Sequence, residues 1–214
     1  MSKNNGNSYL IEGIEYPRVT TILGVLNRPG LNHWRENVGR DAADEAVETA
    51  RDIGTVTHEY ISRILKGWSF NDNAATRFEW NQLAPEVKNT LQCWESFRLT
   101  IKPKIKATEL LLVSKEHGYA GTTDCVATVG GLEIIDWKTA NALWPEVKFQ
   151  LAAYAHAYYE MTGKMPVRGR AVRLDKNRTF WTPADQVVVE DLNFWFKGFL
   201  GLFDAYKCLT KDGK

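Results

Sequence analysis

The chain carries Gly-Tyr-Ala-Gly-Thr-Thr-Asp at residues 118–124 and Glu-Ile-Ile-Asp-Trp-Lys-Thr at residues 133–139, two short segments separated by a glycine pair. Side chains alternate between the two faces of a strand, so Asp136 and Lys138 are predicted to share a face. An acid beside a lysine, with Asp124 on the neighbouring strand, can bind a divalent metal and a phosphate. The pattern therefore indicates metal-assisted hydrolysis of phosphodiester bonds.

The turn between these segments determines which side chains face each other. With a two-residue turn at the glycine pair, Asp136 would lie opposite Cys125 and Asp124 would point to the other face. A three-residue loop over residues 129–131 instead places Asp124 opposite Asp136, and such loops carry a left-handed glycine and a bulge. Facing carboxylates repel each other, and a divalent cation removes that cost. We therefore predict the three-residue register or an equivalent bulge.

Length and composition indicate one ordinary globular domain. The chain has 214 residues, of which 44% are hydrophobic and 25% charged, so one well-cored domain is expected over residues 16–214. Residues 1–15 are expected to form a flexible tail. Neither a signal peptide nor an apolar run of about 20 residues is present. These features predict a cytoplasmic protein with no membrane partner.

The cysteines and the basic residues restrict the chemistry further. Cys93, Cys125 and Cys208 are far apart and form no Cys-x-x-Cys pair, which disfavours structural zinc and a four-cysteine iron–sulfur cluster. The net charge of +1 does not by itself indicate nucleic acid. Residues 164–178, however, are rich in lysine and arginine, which is compatible with a phosphate-binding groove. A solvated surface of mixed charge is the alternative.

Hydrophobic periodicity predicts an α/β domain in which a mixed sheet of about five strands lies between helices. Helices are predicted over residues 31–66, 84–100, 145–162 and 189–209. Strands are predicted over residues 107–114, 123–129, 132–138, 169–174 and 179–182, the last two as a hairpin.

Five short motifs follow one another along the chain. They are Gly54-x-x-x-His58, Glu109, Gly121-x-x-Asp124, Asp136-x-Lys138 and Gln150-x-x-x-Tyr154. Each is weak alone, but together they resemble the PD-(D/E)xK nuclease superfamily in its RecB-like branch, which includes mitochondrial genome-maintenance and phage exonucleases. The stretch over residues 17–23 is also similar to the start of phage members, so the resemblance covers about residues 16–174.

The resemblance implies a restriction-endonuclease-like core and a metal centre. His58, Asp124, Asp136 and the backbone carbonyl of Trp137 are expected to bind Mg²⁺ or Mn²⁺. Without the resemblance, a lone histidine such as His58 on an apolar helix face is more often a packed core residue. The acid of the (D/E)xK motif is aspartate, which this branch tolerates. The four cysteines that hold an iron–sulfur cluster in some relatives are absent, so no such cluster is expected.

The resemblance also assigns catalytic and supporting roles. Lys138 is expected to position the attacking water and to stabilise negative charge in the transition state, and Glu109 to bind water near the metal. The groups expected to brace the site or to touch DNA are Gln150, Tyr154, Gly54, Thr139, Arg168, Arg170 and Arg173.

Three functional hypotheses remain open at this point. The first is a metal-dependent DNA exonuclease that acts on single-stranded ends in DNA processing, repair or phage recombination, with a recombination or replication protein as a partner. The second is an endonuclease with the same active site. The third is a catalytically silent DNA-binding module, against which the complete set of site residues argues.

Overall fold

In the computed structural model, which describes residues 3–4, 6–26 and 37–211, a mixed five-stranded sheet is flanked by helices. The predicted α/β class is therefore confirmed. The helices are α1 Val19–Ile22, α2 Arg40–Leu65, α3 Ala74–Gln82, α4 Pro85–Ile101, α5 Glu146–Thr162 and α6 Leu192–Lys211. The strands are β1 Lys3–Asn4, β2 Ser8–Ile11, β3 Ile14–Pro17, β4 Lys104–Ser114, β5 Tyr119–Thr128, β6 Leu132–Lys138, β7 Arg168–Arg173 and β8 Gln186–Val189.

The main sheet has the order β4-β5-β6-β7-β8, and only the β6–β7 pair is parallel. A parallel pair needs a crossover connection, and α5 supplies it between β6 and β7. Gly163 ends α5 in the left-handed region at φ 70°, as a C-terminal glycine commonly does. The crossover places α5 against the end of β6 that carries Asp136 and Lys138.

Both faces of the sheet are covered, and β6 shows how the sequence achieves this. Ile134 packs in the cluster with α5 and α6, whereas Ile135 and Trp137 pack in the cluster with α2 and α4. A strand buried on both faces reads as a nearly continuous apolar run rather than an alternating one. Asp136 belongs to the α5 face of this strand, where Gln150 of α5 contacts it.

The predicted hairpin register is confirmed. The β5–β6 ladder pairs Thr128 with Leu132 and Cys125 with Ile135, which leaves a three-residue loop over 129–131. Gly130 adopts φ 66°, the left-handed conformation that a glycine tolerates. Continuing this register places Asp124 opposite Asp136.

The expected tail over residues 1–15 is wrong for most of its length. Strands β2 and β3 form an antiparallel hairpin around Gly13, whose φ is 81°. Tyr9 and Tyr16 are buried against Ala120 of β5. The two short strands bury Ser8, Tyr9 and Tyr16, whereas Leu10 and Ile14 are exposed. Residues 1, 2 and 5 lie outside the described part of the chain.

Other element boundaries also differ from the predictions. The strand expected at 179–182 is absent because Trp181 packs on Phe97 of α4, and the antiparallel partner of β7 is β8. The helix α3 was not predicted. Helix α2 runs without a break through Gly54, and the part of its predicted span at 31–36 lies outside the described residues. Within the described residues, no helix is long and apolar enough to cross a membrane.

Candidate metal centre

The centre forms where β5 and β6 stop pairing. Their ladder ends at Cys125 and Ile135, and the next residues toward the site are Asp124 and Asp136. Beyond this point Trp137 donates its backbone N–H to Oδ2 of Asp124, at 2.7 Å, instead of to a carbonyl of β5. Only 7% of Asp124 and 3% of Asp136 is exposed. The end of the ladder therefore brings two buried carboxylates together.

Helix α2 and strand β4 complete a cluster of ligand atoms. Nδ1 of His58 lies 3.1 Å from Oδ1 of Asp124. Ligand atoms of His58, Glu109 and Asp124 all lie within 4.8 Å of one another. One imidazole nitrogen and two carboxylates at this spacing can hold a divalent cation. The structure therefore brings Glu109 to the ligand positions, whereas the sequence predicted only that it binds water.

Glu109 reaches this position through an unusual backbone conformation. Its φ is 51°, although it lies within β4. Its neighbours Thr108 and Leu110 pair with Cys125 and Thr123, so Glu109 is at the position opposite Asp124. A left-handed non-glycine residue inside a strand is strained, and such strain is concentrated at functional sites. The sequence gives no signal for this conformation beyond the glutamate itself.

Asp136 is held by Lys138 and Gln150. Asp136 does not belong to the cluster of ligand atoms that His58, Glu109 and Asp124 form among the described residues. Its Oδ1 accepts a hydrogen bond from Nε2 of Gln150 at 3.0 Å, and its Oδ2 lies 2.6 Å from Nζ of Lys138. The acid and the lysine of the Asp-x-Lys motif thus form an ion pair beside the cluster, in which Asp136 is buried and Lys138 is partly exposed. That the carbonyl of Trp137 binds a metal stays a prediction.

The charged groups of the centre shift one another's pKa values. Burial lowers the pKa of His58, but Asp124 outweighs this effect and the pKa rises to about 9. Burial would likewise raise the pKa of Asp124, yet the charge of His58 holds it below its usual range. Burial raises the pKa of Asp136, and partial burial with the charge of Asp124 raises that of Glu109. Acids crowded in this way fit a site that a cation neutralises.

Lys138 is a cation in this environment. Burial alone would lower its pKa, but the charges of Asp136 and Asp124 raise it. Its side chain remains 28% exposed. A protonated lysine cannot act as a general base, but it can stabilise a negative charge brought close to it.

Gln150 and Tyr154 brace the acid from α5. Nε2 of Gln150, which contacts Asp136, also lies 3.1 Å from the hydroxyl of Tyr154. Both residues are buried, so of the two predicted roles the structure favours bracing over DNA contact.

The glycines of two motifs allow close approach at this centre. A Cβ at Gly121 would lie 2.5 Å from Cε1 of Tyr154. A Cβ at Gly54 would lie 3.1 Å from Oγ1 of Thr139, so this glycine lets α2 approach the end of β6. Thr139, the residue that follows β6, is therefore the nearest neighbour of Gly54 across this approach.

Replacing Gly121 by alanine is expected to lower the free energy of unfolding by about 1–3 kcal/mol, because the added methyl overlaps the Tyr154 ring. Urea denaturation measures this change. The matched control is Gly201→Ala in α6, where a Cβ meets nothing within 4 Å and stability is expected to hold or rise. A second replacement, Tyr154→Leu, should cost less in the Gly121→Ala background than in the wild type. If the stability changes of Gly121→Ala and Tyr154→Leu simply add, then contact with the Tyr154 ring is not the reason that residue 121 is glycine.

An open cavity extends from the centre along α2. It has a volume of about 590 Å³, and Gly54, His58, Ser62, Arg63, Lys66 and Glu109 are among the residues that line it. Lys66 directly follows the end of α2 and is eight residues from His58, a spacing of about 12 Å along the helix axis. Sequence reasoning assigned no role to Lys66, although its helical spacing from His58 was available as a signal.

The three arginines predicted to support the site or bind DNA are engaged in ion pairs. Glu133 is fully buried and pairs with Arg168 at 2.6 Å and with Arg170 at 2.8 Å. Arg173 pairs with Asp175 and Asp185. The prediction that Arg170 binds DNA is wrong, because its guanidinium is buried and only 6% of the residue is exposed. These residues join β7 to β6 and to the following loop.

Replacing Glu133 by glutamine is expected to lower the free energy of unfolding by about 3–5 kcal/mol, since the guanidinium of Arg170 would stay buried without a counter-charge. The matched control is Glu95→Gln, which breaks the exposed pair between Glu95 and Arg98 and is expected to cost less than about 1 kcal/mol. Urea denaturation of both variants measures the difference. Equal losses of unfolding free energy in the two variants would show that the buried pair stabilises the protein no more than the exposed pair does.

Comparisons with known proteins do not assign the chain to a family. No family model matches it, and no curated protein matches it. The solved structure described as "Crystal structure of SSO0001" superimposes with a TM-score of 0.44 and 13% sequence identity, covering 97% of this chain and 78% of that chain. At this similarity the neighbour assigns neither a family nor a function.

Proposed function

We propose that the protein is a divalent-metal-dependent DNA nuclease that removes nucleotides from single-stranded ends. One observation carries the proposal: ligand atoms of His58, Glu109 and Asp124 lie within 4.8 Å of one another, beside the ion pair of Asp136 and Lys138 at 2.6 Å. Carboxylates, an imidazole and a lysine in this arrangement suit the hydrolysis of a phosphodiester. DNA processing in repair or phage recombination, in the cytoplasm, is the setting that this activity fits.

The donor set fits a divalent cation and favours Mn²⁺ over Mg²⁺. Proteins hold Mg²⁺ mainly through oxygen ligands and water, whereas His58 contributes a nitrogen. A cation bound here would polarise the phosphodiester and lower the pKa of an attacking water. Lys138 places a positive charge beside the substrate phosphate, and Gln150 fixes the carboxylate of Asp136 through its 3.0 Å hydrogen bond. These residues orient the reacting groups before substrate arrives.

The cavity beside the centre has room for part of a single strand. It is open to solvent and is lined by α2, by Lys66 and by Glu109 in the middle of β4. Its volume of about 590 Å³ is typical of a small-molecule pocket. Exonuclease action at an end requires that one strand enter this cavity.

The test uses end-labelled linear single-stranded and double-stranded DNA beside a circular single strand, each with Mn²⁺, Mg²⁺ or EDTA. We expect stepwise loss of nucleotides from the linear single strand in the presence of either metal, faster with Mn²⁺. Cleavage of the circle would replace the exonuclease proposal with an endonuclease. Binding without cleavage in any metal would indicate a silent DNA-binding module.

A further inference from the structure

Arg18 is held in a fixed position beside the centre by the N-terminal hairpin. Its Nη2 donates to the hydroxyl of Tyr9 at 3.1 Å, and its Nη1 donates to the carbonyl of Gly6 at 3.0 Å. Its guanidinium carbon also lies 4.9 Å from the centre of the Tyr9 ring. The side chain is half-buried. These contacts restrict the guanidinium to one orientation before any ligand binds.

The charge of Arg18 has no carboxylate partner in the described part of the chain. Its hydrogen-bond acceptors are a hydroxyl and a carbonyl, both neutral. Six other described arginines form ion pairs with acids: Arg63, Arg98, Arg168, Arg170, Arg173 and Arg178. A positioned, half-buried guanidinium with no counter-charge is suited to binding an anion, and its planar fork matches the oxygens of a phosphate.

Two contacts connect Arg18 to the metal centre. The hydroxyl of Tyr9 lies 3.0 Å from Oγ1 of Thr122, which precedes Asp124 by two residues, about 7 Å along the strand. Gly121, the residue before Thr122, lies against the ring of Tyr154. Tyr154 in turn contacts Gln150, the residue that braces Asp136. One DNA strand could therefore contact both Arg18 and the metal centre.

We propose that Arg18 binds a DNA phosphate that flanks the scissile one. The inference rests on the proposed nuclease function and extends it, because it adds a contact for the substrate strand outside the metal centre. The phosphate could belong to the strand's terminus or to its interior, and the chemistry of recognition is the same. Tyr9 is then a positioning residue that orients the guanidinium through its hydroxyl.

The test measures DNA binding in EDTA, where metal-dependent cleavage is blocked, by fluorescence anisotropy at several salt concentrations. Each phosphate contact on a single strand contributes about 0.7 to the slope of log affinity against log salt. Arg18→Ala is expected to weaken binding about tenfold and to reduce this slope by about 0.7. Arg18→Gln, which keeps hydrogen bonding and removes the charge, is expected to reduce the slope equally and covers the case in which alanine unfolds the hairpin. Tyr9→Phe is expected to weaken binding less than either.

The control is Arg98→Ala, which removes the same charge from an exposed position on α4 and is expected to leave the slope unchanged.

Linear strands with a 5′-phosphate, a 3′-phosphate or hydroxyl ends are compared with a circular strand. A loss confined to one phosphorylated end would locate the contact at the terminus, and an equal loss on the circle would locate it in the interior. An unchanged slope in folded Arg18→Gln would overturn the inference. If instead the wild type cleaves no DNA with any metal, the nuclease proposal fails while this binding result still stands on its own.

Discussion

Replacing Asp136 by asparagine is expected to reduce metal-dependent DNA cleavage by about a thousandfold, since the removal of one preorganised charged group from an active site commonly costs two to three orders of magnitude. Asparagine has nearly the same shape, so the hydrogen bond from Gln150 can persist while the charge facing Lys138 is lost. The rate of nucleotide release from labelled single-stranded DNA with Mn²⁺ measures the effect.

Thermal unfolding of the same variant separates lost chemistry from lost folding. Burial raises the pKa of Asp136, so removing its charge relieves a cost in the folded protein. This gain offsets the loss of the ion pair with Lys138, and we expect only a small change in melting temperature. The control is Asp204→Asn, which breaks the exposed pair between Asp204 and Lys207 at 3.3 Å. Full cleavage activity in Asp136→Asn would refute the proposed active site.

Replacing Lys138 by methionine is expected to lower the cleavage rate by about a hundredfold to a thousandfold while leaving metal affinity almost intact. The reason is that Lys138 binds no metal itself, and its ammonium group supplies charge stabilisation that a methionine of similar length cannot. Single-turnover cleavage rates measure the first effect, and calorimetric titration with Mn²⁺ measures the second.

The matched control for this variant is Lys207→Met, the other half of the exposed pair in α6. It changes the same residue type and the same net charge far from the centre, and cleavage is expected to be unaffected. A Lys138→Met protein that cleaves at the wild-type rate would remove the lysine from the mechanism. One that no longer binds Mn²⁺ would show that its role is to hold the centre together.

The sequence was most informative where a local pattern and a tertiary requirement agreed. The period-two alternation of β6 correctly put Asp136 and Lys138 on one face. The need for Asp124 to share that face selected the three-residue loop. Likewise, Gln150 and Tyr154 were named together as one motif, and they share a hydrogen bond.

Features that depend on distant contacts could not be predicted. The left-handed conformation of Glu109 arises inside a strand and has no local sequence signal. Arg168 and Arg170 looked like part of a phosphate-binding surface because their acidic partner is far away in the sequence: Glu133 precedes Arg170 by 37 residues. The hairpin of β2 and β3 was missed because it is stabilised by packing of Tyr9 and Tyr16 on β5 and not by its own composition.

The loop over residues 129–131 makes the chain unusually sensitive to insertions and deletions at a place remote from the chemistry. Gly130 and Asp136 are six residues apart, about 20 Å along an extended strand. Removing one loop residue would leave a glycine-rich two-residue turn that closes a hairpin well, but it would turn Asp124 to the opposite face. A change of one residue in the length of the loop is therefore expected to disrupt the centre. The length of this turn is as much a requirement of the centre as its ligands are.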